Sequence, residues 1–168
     1  MSSIKRREEI IKMLIESNKA IKGTELASLF GVTRQIIVKD IAILRAEGNT
    51  IIATPDGYIY NKNTNKVKSI IAVNHNQNEI IDELKIVVKY GGIIEDVIIE
   101  HPLYGEIRGN LMIKNLNDLN KFEIEFENKS IKPLSDLTDG IHLHTIVADD
   151  EENIKLIKRE LKEKGLLL

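Results

Sequence analysis

His142 and His144 alternate with Ile141, Leu143 and Thr145, and on a β-strand that spacing projects both imidazoles from one face, their backbones about 6.6 Å apart. This is chelating geometry. His75 ends the apolar run Ile70-Ile71-Ala72-Val73 and leads into a helical pattern whose buried stripe is Ile80, Ile81, Leu84, Val87 and Val88. Glu83 lies on the border of that stripe, and helical side chains lean toward the N-terminus, so Glu83 can reach back toward His75 while Asp82 points away. Three imidazoles and a carboxylate suit Zn, Ni, Fe or Mn. The competing reading makes each histidine a capped or half-exposed surface residue, and the sequence leaves both open. No cysteine is present, which excludes disulfides, thiolate metal sites, Fe–S clusters and a cysteine nucleophile.

The elements that must carry these residues follow an alternating order. Val67 to Val73 reads as a strand, Asn78 to Tyr90 as a helix ended by Gly91-Gly92, and Ile93 to Glu100 and Gly105 to Ile113 as two strands. A helix over Asn115 to Glu127, a strand from Ile141 to Ala148 and a helix from Asp149 to Lys164 complete a βαββαβ order with a terminal helix. That order predicts an α+β domain with helices on one face of a mainly antiparallel sheet. His101 falls in the connection His101-Pro102-Leu103-Tyr104-Gly105 between two of the strands.

The first part of the chain reads differently. Ile4 to Ser17 is a helix with Ile4, Ile11, Leu14 and Ile15 on one face; Thr24 caps a short helix that stops at Gly31; Thr33 caps a longer one from Arg34 to about Glu47. Two helices joined by so short a glycine-containing turn form a helix-turn-helix. Ile51-Ile52-Ala53 and Tyr58-Ile59-Tyr60 flank Pro55-Asp56-Gly57 as a β-hairpin, placed as the wing of a winged helix. The polar segment Asn61 to Lys66 marks a boundary, giving domains 1–60 and 67–168.

On the helix beginning at Arg34, Ile36, Ile37, Asp40, Ile41, Ile43 and Leu44 occupy one broad arc and face the core. The other arc holds Arg34, Gln35, Val38, Lys39, Ala42, Arg45 and Ala46, cationic and amide-bearing but slim. A helix in a major groove needs that surface: Arg or Lys for guanine and phosphate, Gln for adenine, small residues for close approach. Thr33 and the free N–H groups beside it can hold a phosphate. An ordinary solvated face is the alternative for this helix alone; the preceding helix, turn and hairpin favour DNA.

Charge agrees in sign. Residues 1–60 carry nine Lys and Arg against seven Asp and Glu, and the remainder fifteen against nineteen, so a nucleic-acid contact belongs in the first domain. At 168 residues and 42% apolar composition the chain suits two small globular domains without a membrane span. The opening Ser2 to Glu9 lacks an apolar secretory core, so a cytoplasmic protein is expected.

Leu26-Ala27-Ser28-Leu29-Phe30-Gly31-Val32-Thr33-Arg34-Gln35 through Gly48 resembles the winged helix-turn-helix of bacterial repressors. Asn74-His75 with Ile80, Glu83 and Leu84, then Glu100-His101-Pro102-Leu103-Tyr104-Gly105-Glu106-Ile107, then Gly140-Ile141-His142-Leu143-His144-Thr145-Ile146, resembles the three-histidine (3H) domain of niacin-responsive transcriptional repressors. The resemblance spans essentially the whole chain. It implies a homodimer that binds operator DNA, senses nicotinic acid, holds one transition-metal ion per chain, with Ni or Zn favoured, and controls genes for NAD synthesis or niacin uptake. The positions matching its metal ligands are His75, Glu83, His142 and His144. A pyridine carboxylate needs an apolar or aromatic slot and a cation or N–H donors, and His101, Tyr104 and Arg108 are the candidates; a β-turn whose histidine only bonds backbone explains that segment equally well.

Two rival functions remain at this level. One is a winged-helix regulator for which the metal itself is the signal. The other is a metalloenzyme fused to a DNA-binding domain, against which no HExxH, GxSxG, P-loop or Rossmann fingerprint appears.

Overall fold

The computed structural model of the protein describes residues 1–62 and 66–168, so positions 63–65 of the expected boundary segment lie outside the described residues. The chain divides into two units, Met1–Thr64 and Asn65–Leu168.

Three helices and a hairpin build the first unit: α1 (Ser3–Glu16), α2 (Gly23–Phe30), α3 (Arg34–Ala46), β1 (Ile51–Thr54) and β2 (Gly57–Tyr60). Thr33 caps α3 by accepting from Ile36 N–H at 3.4 Å, and Gly31 turns the chain between α2 and α3 in the left-handed region, which glycine adopts without a Cβ penalty. Thr24 is not a cap. The cap position is Lys22, two residues earlier, and no side chain caps the helix. The hairpin gains a third participant, because Ile21 and Tyr58 exchange main-chain hydrogen bonds of 3.0 and 2.9 Å.

One helical face is rotated from expectation and another is narrower. In α1 the buried residues are Ile10 and Leu14, while Ile4 and Ile15 are exposed; the row Arg6, Ile10, Leu14 bears inward, and its first position being an arginine hides it from an apolar pattern. In α3 the buried row is Ile37, Asp40, Ile41 and Leu44, whereas Ile36 is 37% exposed and Ile43 half-buried. Asp40 occupies the middle of that row because Arg6 and Arg7 reach it, at 2.7 and 3.5 Å.

The second unit is α+β, as its pattern predicts. β3 (Val67–Asn74), β4 (Ile93–His101), β5 (Gly105–Ile113) and β6 (Ile141–Ala148) form one sheet in the order β3-β6-β4-β5, every neighbouring pair antiparallel. β3 and β4 therefore run parallel with β6 inserted between them, and α4 (Ile80–Lys89) makes the crossover. With α5 (Leu116–Lys129) and α6 (Glu151–Glu163), α4 packs into a core with Ile71, Val73, Ile94, Ile113, Ile146 and Ala148. The C-terminus returns to β3, Leu168 N–H donating to Ala72 at 2.9 Å.

Element starts follow side-chain caps more closely than apolar spacing. The helix expected from Asn78 opens as a 3-10 turn (Gln77–Glu79) set by a capping box between Asn76 and Glu79, and becomes α-helical only at Ile80. Asn115 and Asp150 cap α5 and α6. A second 3-10 turn, Leu134–Thr138, precedes β6 in a stretch to which the sequence assigns no element.

Candidate metal centre

Strand alternation brings the histidines together. Val73 pairs with His142 and Ile71 with His144, so both imidazoles stand on the face that continues into the core residues Ile146 and Ala148, and His75 prolongs the row of Ile71 and Val73. α4 crosses that face and presents Glu83. The carboxylate is not a border residue: Glu83 is 0% exposed, and His75, His142 and His144 are buried around it. Asp82 is exposed.

Each imidazole commits one nitrogen to the backbone. Nδ1–H of His75 donates to the Asn76 carbonyl at 2.9 Å, that of His142 to Gly140 at 2.8 Å, and that of His144 to Asp96 at 2.5 Å. With a carbonyl as its only partner, each Nδ1 must carry a proton, and each Nε2 is turned toward Glu83. His75 Nε2 bonds Oε2 directly, His142 Nε2 lies 3.6 Å from the same oxygen, and His144 Nε2 is 3.1 Å from Oε1. Glu83 Oε1 is buried without a hydrogen-bond partner. The donor atoms of His75, Glu83 and His142 all lie within 4.8 Å of one another.

An orphaned carboxylate oxygen ringed by imidazole nitrogens whose other nitrogens are already anchored fits a transition-metal ion. Burial alone pulls the pKa of His75 and His144 down, but the Glu83 carboxylate outweighs it and holds both above the ordinary imidazole value. Burial would raise the Glu83 carboxyl, and the imidazoles, His144 foremost, instead hold it well below its usual range.

The comparisons with known proteins bear on both units. The 3H domain, named for its histidines, matches residues 68–168, and a helix-turn-helix (HTH) domain matches residues 6–59. A protein of Thermotoga maritima called probable transcription repressor NiaR is 45% identical over 163 residues, covering 97% of this chain and 93% of that one. Transcription repressor NadR of Bacillus subtilis is 36% identical over 167 residues, with the same coverage. The chain belongs to the 3H-domain transcription repressors. As a member of that family it is a regulator with a DNA-binding domain and not an enzyme, and no helix among the described residues is long and apolar enough to cross a membrane.

In this repressor Thr33, Arg34, Gln35 and Lys39 are exposed along the start of α3, with Val38, Ala42, Arg45 and Ala46 beside them. Ile36 joins that surface, which makes it more apolar than the sequence suggests. In the second unit His101 and Tyr104 come together, their rings 5.1 Å apart, and His101 Nδ1 accepts from Leu103 N–H at 3.2 Å. Arg108 does not join them. It pairs with Ile98 across the ladder, whereas His101 pairs with Gly105, so alternation puts His101 and Arg108 on opposite faces of the sheet; the guanidinium is held by Asp96.

Asp40 is buried on the arc where the helical spacing puts it. Asp96 is the polar residue that the spacing passes over, an acid inside the run Ile93-Ile94-Glu95-Asp96-Val97-Ile98-Ile99. A buried acid requires a partner, and that requirement is the signal that could have found it.

Proposed function

We propose that this transcription repressor is a metal-containing, nicotinic-acid-responsive regulator that binds operator DNA as a homodimer and controls genes of NAD biosynthesis or niacin uptake. In this reading residues 1–60 form the DNA-binding domain, residues 67–168 the metal- and effector-binding domain, and the protein works in the cytoplasm. The observation that carries it is the convergence of three imidazoles, each anchored through Nδ1, on the buried carboxylate of Glu83. His75, Glu83, His142 and His144 would hold one ion, Ni or Zn by donor type, and the ion would supply a Lewis-acidic centre able to take a further nitrogen or oxygen donor.

Nicotinic acid, the effector that the family resemblance implies, would bind between that centre and the His101-to-Arg108 hairpin. His101 and Tyr104 offer it an aromatic edge, and Arg108 acts from the other face through Asp96. Thr33, Arg34, Gln35 and Lys39 meet DNA, and a two-fold dimer presents two such helices to half-sites one or more helical turns apart. The effector works as a co-repressor by favouring the arrangement in which both helices engage at once.

Titrating operator affinity separately with nicotinate and with metal tests the reading. Nicotinate should tighten operator binding of the metal-loaded protein by about 5- to 150-fold, and operator should tighten nicotinate binding by the same factor. Equal nicotinate affinity with and without operator rules out co-repression; a response to metal alone makes the ion the signal.

A further inference from the structure

The β4 strand is interrupted where it passes the metal centre. Its register with β6 slips between Ile94 and Ile98, and its register with β5 shifts between Ile94 and Asp96. Asp96 sits at this interruption, 3% exposed. Its side chain and its main chain serve different partners. Carboxylate Oδ1 accepts the main-chain N–H of Thr145 at 2.8 Å, a donor that in an unbroken antiparallel ladder would go to a carbonyl of the neighbouring strand. The Asp96 carbonyl accepts Nδ1–H of His144. Oδ2 accepts from Nη1 of Arg108, whose side chain is half-exposed on β5.

This arrangement separates His144 from the other two imidazoles. His75 rests on the carbonyl of the next residue and His142 on the carbonyl two residues back, so local chain geometry orients both. His144 is oriented by a residue 48 positions away.

We propose that Asp96, steadied by Arg108, is a positioning residue for the metal centre: by taking the Thr145 N–H in its side chain it frees the carbonyl that fixes the tautomer and direction of His144. The inference rests on the metal-centre reading above. Without the carboxylate the Thr145 N–H is left to compete for the Asp96 carbonyl, which loosens its hold on His144 Nδ1–H. Asparagine still offers an oxygen to Thr145 but turns an N–H₂ donor onto the Arg108 guanidinium, so it restores the function in part. Partners of this kind, bonded to a ligating histidine, change metal affinity by about 10- to 100-fold when lost.

Two measurements on the full chain test the proposal. Competition with a chelator gives Ni²⁺ and Zn²⁺ affinities for wild type, Asp96→Ala, Asp96→Asn, Arg108→Gln and His142→Ala/His144→Ala. Long-range ¹H–¹⁵N imidazole spectra of the metal-free proteins, taken above the pH at which the rings titrate, show which nitrogen of His144 carries the proton. Asp96→Ala should weaken metal binding about 10- to 100-fold and shift the His144 tautomer away from Nδ1–H, with Asp96→Asn and Arg108→Gln intermediate in both. A purely structural Asp96 would lower the melting temperature while leaving tautomer and affinity at wild-type values, and that result overturns the proposal. Should Asp96→Ala not fold, Asp96→Asn and Arg108→Gln decide by the same two readouts. If the double histidine variant binds metal as wild type does, the metal-centre reading fails, and the tautomer spectra still report whether Asp96 holds His144.

Discussion

Arg6 Nε donates to Asp40 Oδ2 across 2.7 Å, tying α1 to the buried row of α3. The carboxylate is 3% exposed and the Arg6 side chain 12%, so the two ends of the pair differ in what happens when the other is removed. Arg6→Ala combined with Arg7→Ala strands a buried carboxylate and should cost about 3–5 kcal/mol. Asp40→Ala leaves arginines that can turn to water and should cost less, about 1–3 kcal/mol. Urea unfolding of the two variants checks the order; equal stabilities would mean that Asp40 does not depend on the arginines.

Purified protein should bind about one transition-metal ion per chain, and His142→Ala/His144→Ala should abolish it. Elemental analysis showing undiminished metal in that variant removes the assignment. The pH dependence has a definite sign. His75 and His144 have raised pKa values when metal-free, so their contribution to stability is present below about pH 6.5 and fades as pH rises through the folded values. Glu83, held low, contributes above about pH 4.3 and is lost as pH falls through its folded value. Metal must displace the imidazole protons. The stabilisation given by added metal should therefore still be increasing above pH 6.5, and melting temperatures with and without metal at pH 6 and pH 8 will show whether the difference widens.

Gly140 is a small residue with a large role at the centre. Its φ is +93°, a Cβ there would lie 2.6 Å from the His75 carbonyl oxygen, and its own carbonyl orients His142. Gly140→Ala should thus disturb two imidazoles at once, lowering metal affinity at least tenfold and stability by about 1–3 kcal/mol. Chelator competition and thermal unfolding on the same sample read both; wild-type metal affinity in a destabilised variant would confine the effect to the backbone.

Operator recognition should divide by residue along α3. Gln35→Ala should relax the preference at one base pair, at about 1–3 kcal/mol of discrimination, whereas Lys39→Ala should weaken all sequences alike and reduce the salt slope by about 1. Fluorescence anisotropy with operator and scrambled duplexes at several salt concentrations distinguishes the two. Unchanged operator affinity in both variants would mean that another element enters the groove.

The sequence makes legible what obeys a period. His142 and His144 were readable because a strand alternates, and Asp82 could be set aside because a helix does not turn adjacent residues to the same side. What escaped obeys contacts instead. Glu83 reads as a border residue by helical angle, yet three imidazoles draw it wholly inside. Arg6, Ile10 and Leu14 form one row only when the arginine is known to meet Asp40. Arg108 reads as an effector ligand because it is an isolated cation beside His101, and only the ladder register reveals that it stands on the opposite face. Asp96 lies at a strand irregularity, which no alternation pattern announces.

The burial of His75, Glu83, His142 and His144 between α4 and the sheet would also set a clock for an ion held among them. Its release would require Glu83 on α4 to part from the three histidines, so its residence time would follow the opening of that helix more than the level of free metal outside. Fluctuations in supply brief on that timescale would pass unrecorded, and the ion would serve the folded repressor as a lasting part of its structure.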